Sequence, residues 1–262
     1  MSDKKALTKQ SPVVADPWAK LRQLSAARIA LGRTGGSLPT APQLELQLAH
    51  ARARDAVQLA FDAAEVQRRL QGSGRSVQRV HSEAESRGVY LRRPDLGRRL
   101  DAPSRSALAK FAAGDGSGYD AAFVVADGLS PLAIHRHAVA VLDLVWPALT
   151  QAGWRLAPVL VAEQARVALG DEIGALLGAE QLAILIGERP GLSAADSLGI
   201  YLTYAPRPGR SDAERNCISN IRPEGLGYQE AAHALVQLMA RARRLRLTGV
   251  GLKDGSDGLL PE

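Results

Sequence analysis

Short apolar runs alternate with helix-length segments in the second half of the chain, and this alternation constrains the fold more than any other sequence feature. The apolar runs cover residues 123–126, 155–161 and 182–186, and the segments between them, 132–151 and 163–177, have helical periodicity. Strand patterns separated by helices of this length are typical of βαβ units, whose strands pair in parallel. This part of the chain is therefore predicted to form a parallel sheet covered by helices.

The first half of the chain has mainly helical patterns. They cover residues 18–31, 42–60 and 102–112, and the helix that begins at residue 42 continues or bends over 61–69. Residues 75–87 favour a helix or a loop. No strand is predicted in this half.

The end of the chain adds an amphipathic helix over residues 228–245 and a last short strand over 248–252. We predict an α/β fold in which a Rossmann-like parallel-sheet domain, residues 116–262, is preceded by a helical N-terminal region, residues 16–115. Residues 1–15 are polar and uneven in pattern, and we expect a flexible tail there.

The composition allows a sizeable core and limits the chemistry. Of the 262 residues, 46% are apolar and 23% are charged, which is typical of a folded globular protein. No apolar run approaches the roughly 20 residues of a membrane span, and the start of the chain lacks the apolar core of a signal peptide. We therefore expect a cytoplasmic protein without a membrane partner. The single cysteine, Cys217, excludes an internal disulfide and a cysteine metal cluster.

The net charge of +6 raises the alternative of a nucleic-acid-binding protein. The arginines are spread along the chain among acidic residues, and aromatic residues are only 4% of the total. A stacking platform for bases needs aromatic side chains interleaved with basic ones. The pattern therefore disfavours nucleic acid as a partner.

One apolar run ends in a polar turn that suggests a ligand site. Residues 182–186 are followed by Gly187-Glu188-Arg189-Pro190-Gly191, and a second apolar run follows at 198–204. In open α/β sheets, ligands bind in the crevice beyond the carboxyl ends of the strands. Glu188 is therefore a candidate acceptor for the hydroxyl or amide groups of a ligand. The alternative is a solvated carboxylate paired with Arg189.

Two glycine-containing turns are candidate phosphate sites. Residues 127–130 (DGLS) could hold a phosphate or a ribose on backbone N–H groups, but Ser130 capping a helix that begins at Pro131 is the favoured interpretation. Residues 32–36 (GRTGG) follow a helix rather than a strand and precede no lysine, so they match a phosphate-binding loop poorly. No dinucleotide-binding glycine signature is present.

Other candidate residues have ordinary structural interpretations. Cys217 has no histidine near it in sequence, so a buried and unreactive thiol is more typical than a nucleophile. His135 and His137 are two residues apart and would not share a helix face, which disfavours a metal site. Val167, taken without the family, is an ordinary apolar residue. We predict no catalytic residue and no metal ligand in this chain.

Several strings closely resemble the small (light) subunit of ethanolamine ammonia-lyase. The most specific are residues 186–192 (IGERPGL), 204–207 (YAPR) and 217–221 (CISNI). Residues 27–35 (ARIALGRTG) and 91–100 (LRRPDLGRRL) look like the same family, as do residues 127–130. The resemblance runs in order from about residue 17 to residue 254.

The resemblance implies an activity that this chain shares with a partner. The family's enzyme is an ammonia-lyase that converts ethanolamine to acetaldehyde and ammonia by adenosylcobalamin radical chemistry. Its large subunit, a TIM barrel, holds the substrate and the catalytic residues, and six small and six large chains form a heterododecamer. The small subunit helps to enclose the cobalamin, which keeps its own base as the lower cobalt ligand. Many members are encapsulated in bacterial microcompartments, so the expected location is cytoplasmic, inside or outside such a compartment.

The same resemblance implies three cofactor-binding residues. Glu188, within a string that matches the family directly, corresponds to a residue that contacts the cobalamin. Cys217 corresponds to a residue that packs against the cofactor and does not act as a nucleophile. Val167, aligned back from Glu188, falls on a third contact. These residues would hold the corrin periphery or the nucleotide tail, and not the cobalt.

One rival from another class stays open. A standalone Rossmann-like enzyme or nucleotide-binding module could use Asp127 and Glu188 as its acids. It would have to bind its nucleotide without a glycine-rich signature, and its isolated chain would be active.

Overall fold

The computed structural model describes residues 11–25, 27–115 and 118–252. Most of the predicted N-terminal tail, residues 1–10, lies outside the described residues. The chain divides into two units. One comprises Met1–Arg54 with Gly191–Ala194, and the other comprises Asp55–Pro190 with Ala195–Glu262.

The larger unit contains a six-stranded sheet. Its strands, in chain order, are β1 (Val77–His81), β2 (Tyr119–Ala126), β3 (Val159–Glu163), β4 (Ala179–Gly187), β5 (Leu198–Tyr204) and β6 (Arg215–Ile221). They lie side by side in the order β1-β3-β2-β4-β5-β6. The first four strands pair in parallel, whereas β5 and β6 pair antiparallel. The predicted α/β class is confirmed, but the sheet is mixed rather than wholly parallel.

The two antiparallel strands follow from their connections. A parallel pairing needs a crossover, usually a helix, whereas antiparallel neighbours need only a loop. No α-helix separates β4 from β5 or β5 from β6. The chain therefore reverses direction at each of these loops instead of crossing over a face of the sheet.

Helices cover both faces of the sheet. The helices are α1 (Thr40–Gln58), α2 (Ala63–Gly72), α3 (Arg87–Arg92), α4 (Ala102–Asp115), α5 (Pro131–Ala133), α6 (Val139–Gln151), α7 (Leu169–Leu176) and α8 (Tyr228–Leu245). Helices α2, α6 and α8 share one apolar cluster with Phe123 and Val125 of β2, while α4 and α7 share another with Val124. Alternate residues of β2 thus face opposite cores, which explains why this strand is apolar throughout.

One continuous helix, Pro131–Gln151, is long and apolar enough to cross a membrane by length and composition. It consists of α5, a π turn over Ile134–Ala138, and α6. Half of its most apolar window is buried inside the protein, where it packs in the core beside β2. A core helix of a soluble protein meets the same criteria, and burial against the sheet accounts for its hydropathy.

Several local predictions differ from the structure. Residues 75–87 contain strand β1 rather than only helix or loop, and residues 215–221, for which no strand was predicted, form β6. Both strands lie at the edges of the sheet. An edge strand is less buried than a central one, so its sequence can stay polar.

The predicted strand at 248–252 contains a short 3-10 helix, Gly249–Gly251. The helix predicted over 18–31 is reduced to a 3-10 helix, Ala19–Gln23, which buries none of its residues. An isolated helix of this length is marginal without a face to pack, which explains the shorter element.

Candidate functional site

A cavity of about 430 Å³ lies at the carboxyl edge of the parallel strands. It is lined by residues from the ends of three strands, together with Tyr90 of α3 and Tyr201 of β5. The strand-end residues are Gly128 and Leu129 after β2, Arg166 and Val167 after β3, and Ile186, Gly187, Glu188 and Arg189 at the end of β4. We refer to it as the strand-end cavity. Its position agrees with the sequence-based expectation for a ligand site in an open α/β sheet.

Glu188 is the acidic side chain of the strand-end cavity, and only one of its two carboxylate oxygens accepts hydrogen bonds from the described residues. Its Oε2 atom accepts hydrogen bonds from the Ser197 hydroxyl and from the Asn220 N–H, the latter at 3.3 Å. Its own N–H donates to the Ser197 carbonyl at 2.9 Å. Among the described residues, Oε1 accepts no hydrogen bond and Arg189 forms no ion pair with Glu188. The alternative interpretation of a solvated Glu188–Arg189 pair is therefore not seen.

The turn after β2 packs closely on the end of β4. The Leu129 N–H donates to the Gly187 carbonyl at 2.9 Å. A Cβ atom on Gly128 would lie 2.3 Å from the same carbonyl oxygen, and Gly128 has a positive φ of 56°. Ser130 caps the following helix by accepting from the Ala133 N–H at 3.3 Å, so the favoured capping interpretation is confirmed.

A cationic and aromatic stack forms another wall of the strand-end cavity. The Arg166 guanidinium lies 4.1 Å from the ring centre of Tyr90, and its Nη2 donates to the Tyr90 carbonyl at 3.2 Å. Its buried Nε has no hydrogen-bond partner in the described structure. Arg87 lies 4.8 Å from the same ring. Burial raises the pKa of the Tyr90 hydroxyl, so this group stays protonated and donates to the Ala165 carbonyl at 3.2 Å.

Asp127 lies beneath this cavity rather than in its lining. Its side chain is fully buried and accepts from the N–H groups of Gly128, Gln164 and Ala165 at 2.9–3.0 Å. Arg87 lies 3.4 Å from its Oδ2. Burial raises the pKa of Asp127 to about 6, against the opposing effect of these donors. Its acceptors are used within the protein, which disfavours the rival enzyme in which Asp127 is an accessible acid.

Of the three residues expected to bind the cofactor, two lie just beyond strand ends in the strand-end cavity, and the third lies on β6 beside it. Val167 and Glu188 both line the strand-end cavity. Cys217 is exposed on β6, directly opposite the cavity residue Tyr201 in the strand register. Desolvation raises the pKa of the Cys217 thiol, and the Glu188 carboxylate raises it further, while a hydrogen bond with Tyr201 has the opposite effect.

Comparisons with known proteins give a family for the chain. The model of the family described as ethanolamine ammonia-lyase light chain matches residues 15–253. The chain belongs to this family. Proteins named ethanolamine ammonia-lyase small subunit are similar over most of their length. Those from Ralstonia nicotianae and Azotobacter vinelandii are 56% and 55% identical, covering 94% and 96% of this chain and 91% and 93% of their own. That from Xanthomonas campestris pv. campestris is 59% identical, covering 92% of this chain and 89% of its own.

Membership of the light chain family makes the chain a component of an ammonia-lyase, as the resemblance implied. Two of the strings that carried the resemblance are far apart in sequence but meet at the strand-end cavity. Residues 128–129 and 186–189 line this cavity, and residues 217–221 lie in the strand that pairs with β5. Residues 91–100 contain Gly97, on which a Cβ atom would lie 2.9 Å from the Arg166 side chain.

Sequence reasoning missed Tyr90, Arg87 and Arg166. Two of them are next to residues already singled out in the sequence, because Tyr90 precedes the 91–100 string and Arg166 precedes Val167. Nothing local marks the three residues as one stack, since α3 and the segment after β3 meet only in the folded chain.

A second cavity of the chain is lined by several arginines. It has a volume of about 460 Å³ beside α7, and its arginines are Arg98, Arg99, Arg105 and Arg210. Arg105 pairs with Glu172 at 2.5 Å, and Arg210 pairs with Glu214. None of the residues expected to bind cofactor lines it, so size alone does not identify the functional site.

His135 and His137, two residues apart in the long apolar helix, both form hydrogen bonds within the protein. His137 is buried in the π turn, where its Nδ1 lies 2.7 Å from the Tyr228 hydroxyl. The Nε2 of His135 accepts from the Asp62 N–H at 3.3 Å. Within the part of the chain that the structure describes, no three His, Cys, Asp or Glu side chains are grouped to hold a metal ion.

Proposed function

We propose that the chain is the cobalamin-enclosing small subunit of an ethanolamine ammonia-lyase. In this proposal the strand-end cavity binds one edge of adenosylcobalamin through Val167, Glu188 and Cys217. The large subunit holds ethanolamine and the catalytic residues, and the two chains together form acetaldehyde and ammonia in ethanolamine degradation. When bound, adenosylcobalamin supplies the radical that initiates the reaction.

The observation that carries the proposal is that the strand-end cavity is lined by a carboxylate with one oxygen unpaired among the described residues and by two guanidinium groups. Glu188 Oε1 accepts no hydrogen bond in the described structure, and the Arg166 Nε has no partner. A corrin ring is surrounded by amide side chains, each with an N–H donor and a carbonyl acceptor. Glu188 can accept from such an amide, and the Arg166 and Arg189 guanidinium groups can donate to one. The cavity residues therefore fit this cofactor.

The size of the cavity supports a shared site. A volume of about 430 Å³ is in the range of a small-ligand pocket and far below the volume of a whole cobalamin. The remainder of the cofactor would be covered by another chain, as the name "small subunit" of the relatives suggests. We propose the large subunit as that chain, in a heterododecamer of six small and six large chains.

The chain lacks the sequence motif that supplies a histidine ligand to cobalt, and this supports a base-on cofactor, in which cobalamin keeps its own lower base. The sequence contains no Asp-x-His-x-x-Gly string, which marks proteins that replace the lower base of cobalamin by a histidine. We propose that the cofactor keeps its own base, and that this chain touches only the corrin periphery or the nucleotide tail.

We also propose a Rossmann-like relationship for part of the sheet and a location for the assembled enzyme. The parallel strands β1–β4, with a cavity beyond their carboxyl ends, support a Rossmann-like relationship for this part of the sheet. The location proposed for the assembled enzyme is the cytoplasm, inside or outside a bacterial microcompartment.

The test is to co-express the chain with its large subunit, to measure acetaldehyde formation, and to titrate the complex with adenosylcobalamin by equilibrium dialysis. We expect activity only with both chains and about a tenfold weaker cofactor affinity for Glu188→Gln. The single oxygen of the Gln amide would stay with the Ser197 and Asn220 donors, so an NH2 group, which cannot accept a hydrogen bond, would face the cofactor. The matched control is Glu65→Gln, since Glu65 forms only a surface pair with Arg68. Failure to form a complex, or unchanged affinity in Glu188→Gln, would refute the proposal.

A further inference from the structure

The Glu188 side chain lies where the side chain of residue 199 would otherwise be. Ile186 of β4 pairs with Gly199 of β5, so Glu188 leaves β4 just beyond this glycine. A Cβ atom on Gly199 would lie 2.8 Å from Glu188 Oε1, 3.0 Å from Cγ and 3.2 Å from Cδ. All three of these nearest atoms belong to Glu188. The glycine therefore provides the space that the carboxylate fills.

Gly199 is also on the side of the sheet that faces the cavity. Residues two apart in a strand project from the same face, and Tyr201, two residues after Gly199, lines the strand-end cavity. The carboxylate that lies over Gly199 is accordingly on the ligand side of β5.

The other oxygen of Glu188, Oε2, is fixed by two hydrogen-bond donors. Ser197 is almost fully buried, with 6% exposure, and its hydroxyl donates to Oε2. The Asn220 N–H adds a second donor to the same oxygen. These contacts use Oε2 and leave Oε1 without a hydrogen bond in the described structure.

We propose that Ser197 and Gly199 are positioning residues that preset the Glu188 carboxylate, with Oε2 anchored and Oε1 presented to an amide N–H of the cofactor. A free glutamate side chain samples many rotamers, and holding one of them before binding lowers the entropy lost when the ligand arrives. The inference rests on the proposed function, because it assigns Oε1 to a ligand of the strand-end cavity.

Gly199→Ala separates positioning from folding. The three atoms nearest to the new methyl group all belong to the flexible Glu188 side chain, so Glu188 can move aside while β5 keeps its place. No positive φ is required at Gly199, so alanine fits the backbone there. We expect a complex that unfolds at nearly the parental temperature but binds cofactor weakly.

The experiment measures the dissociation constant of adenosylcobalamin by equilibrium dialysis in the co-expressed complex. We expect Gly199→Ala and Ser197→Ala each to weaken binding about tenfold, with kcat at saturating cofactor unchanged. In a Glu188→Ala background, neither change should weaken binding further, because no carboxylate remains to be displaced or held. Ser106→Ala, on the exposed surface of α4, is the matched control and should behave as the parent.

Two results would overturn the inference while leaving the proposed function in place. One is a parental affinity in both positioning variants when Glu188→Ala binds weakly. The other is an equal loss of affinity from Gly199→Ala with and without Glu188, which would indicate a general distortion of β5. A parental affinity in Glu188→Ala itself would instead refute the proposed site, and the inference with it.

Discussion

Asp127 and Ala165 connect the ends of two neighbouring parallel strands. The Ala165 N–H, just beyond β3, donates at 2.9 Å to the Asp127 Oδ1 at the end of β2. The same oxygen accepts from Gly128, and Oδ2 accepts from Gln164. One buried carboxylate thus fixes the two loops that carry Gly128 and Val167 to the strand-end cavity.

The burial of Asp127 predicts a pH dependence of stability. Its pKa is raised from 3.8 to about 6, so the folded chain holds this proton more tightly than the unfolded chain. Stability from this group is therefore greatest at low pH and decreases as the pH rises between these two values. From about pH 4.5 to about pH 7, the free energy of unfolding of the parent should fall by about 2 kcal/mol relative to Asp127→Asn.

Urea unfolding of the parent and Asp127→Asn at several pH values measures this difference, and other titrating groups cancel in the comparison. If the free energy of unfolding of the parent, relative to Asp127→Asn, stays constant or rises over this pH range, burial does not raise the pKa of the Asp127 carboxyl.

Gly128→Ala should be strongly destabilising. The added Cβ atom would lie 2.3 Å from the Gly187 carbonyl oxygen, and the backbone has a positive φ, so strain and overlap act together. We expect a loss of roughly 2 kcal/mol or more in the free energy of unfolding. Gly72→Ala is the control, since no atom lies within 4 Å of its Cβ position, and it should be neutral or slightly stabilising. Equal stabilities of the two variants in urea would contradict this account.

Arg215 and Asp171 form a bidentate ion pair inside the larger unit, and breaking it should be costly. Both N–O distances are 2.6 Å, and the side chains are 2% and 1% exposed. Arg215→Met leaves a buried carboxylate without its partner and should cost about 3–5 kcal/mol. Arg215→Met with Asp171→Leu removes both charges and should recover part of that loss. Thermal unfolding of the parent, the two single variants and the double variant checks this, and strict additivity of the two single changes would refute it.

Cys217 should react slowly with thiol reagents although it is exposed on β6. Desolvation near Tyr201 and the charge of Glu188 both raise the pKa of the thiol, which lowers the fraction of reactive thiolate. The rate of iodoacetamide labelling at about pH 8 should be below that of a free cysteine peptide. Glu188→Gln should accelerate labelling, whereas Glu65→Gln should not. Identical rates in these two variants would show that Glu188 does not influence the thiol.

The local sequence pattern was sufficient for the buried elements. Helices over 132–151 and 228–245 and strands over 123–126 and 182–186 were predicted because each buries a long apolar face, which leaves a clear period in the sequence. The edge strands β1 and β6 were missed because their solvent-facing positions are polar. For example, Gln78 and Arg79 separate the two valines of β1.

The sequence also indicated where a ligand site would lie, but not how it is built. The turn after 182–186 identified Glu188 by its position at a strand end, and the family resemblance added Val167 and Cys217 as predictions that remain to be tested. The stack of Arg87, Tyr90 and Arg166 left no such signal, because each residue comes from a segment with its own local context.

The sequence by itself determined the α/β class, the central strands and the family, because apolar periodicity and motif strings are local properties of the chain. Tertiary structure decided the strand order, the direction of β5 and β6, and the placing of Ser197 and Gly199 around Glu188. These depend on which distant backbone segments pair, and hydrogen bonding between strands has no counterpart in the sequence of either strand alone.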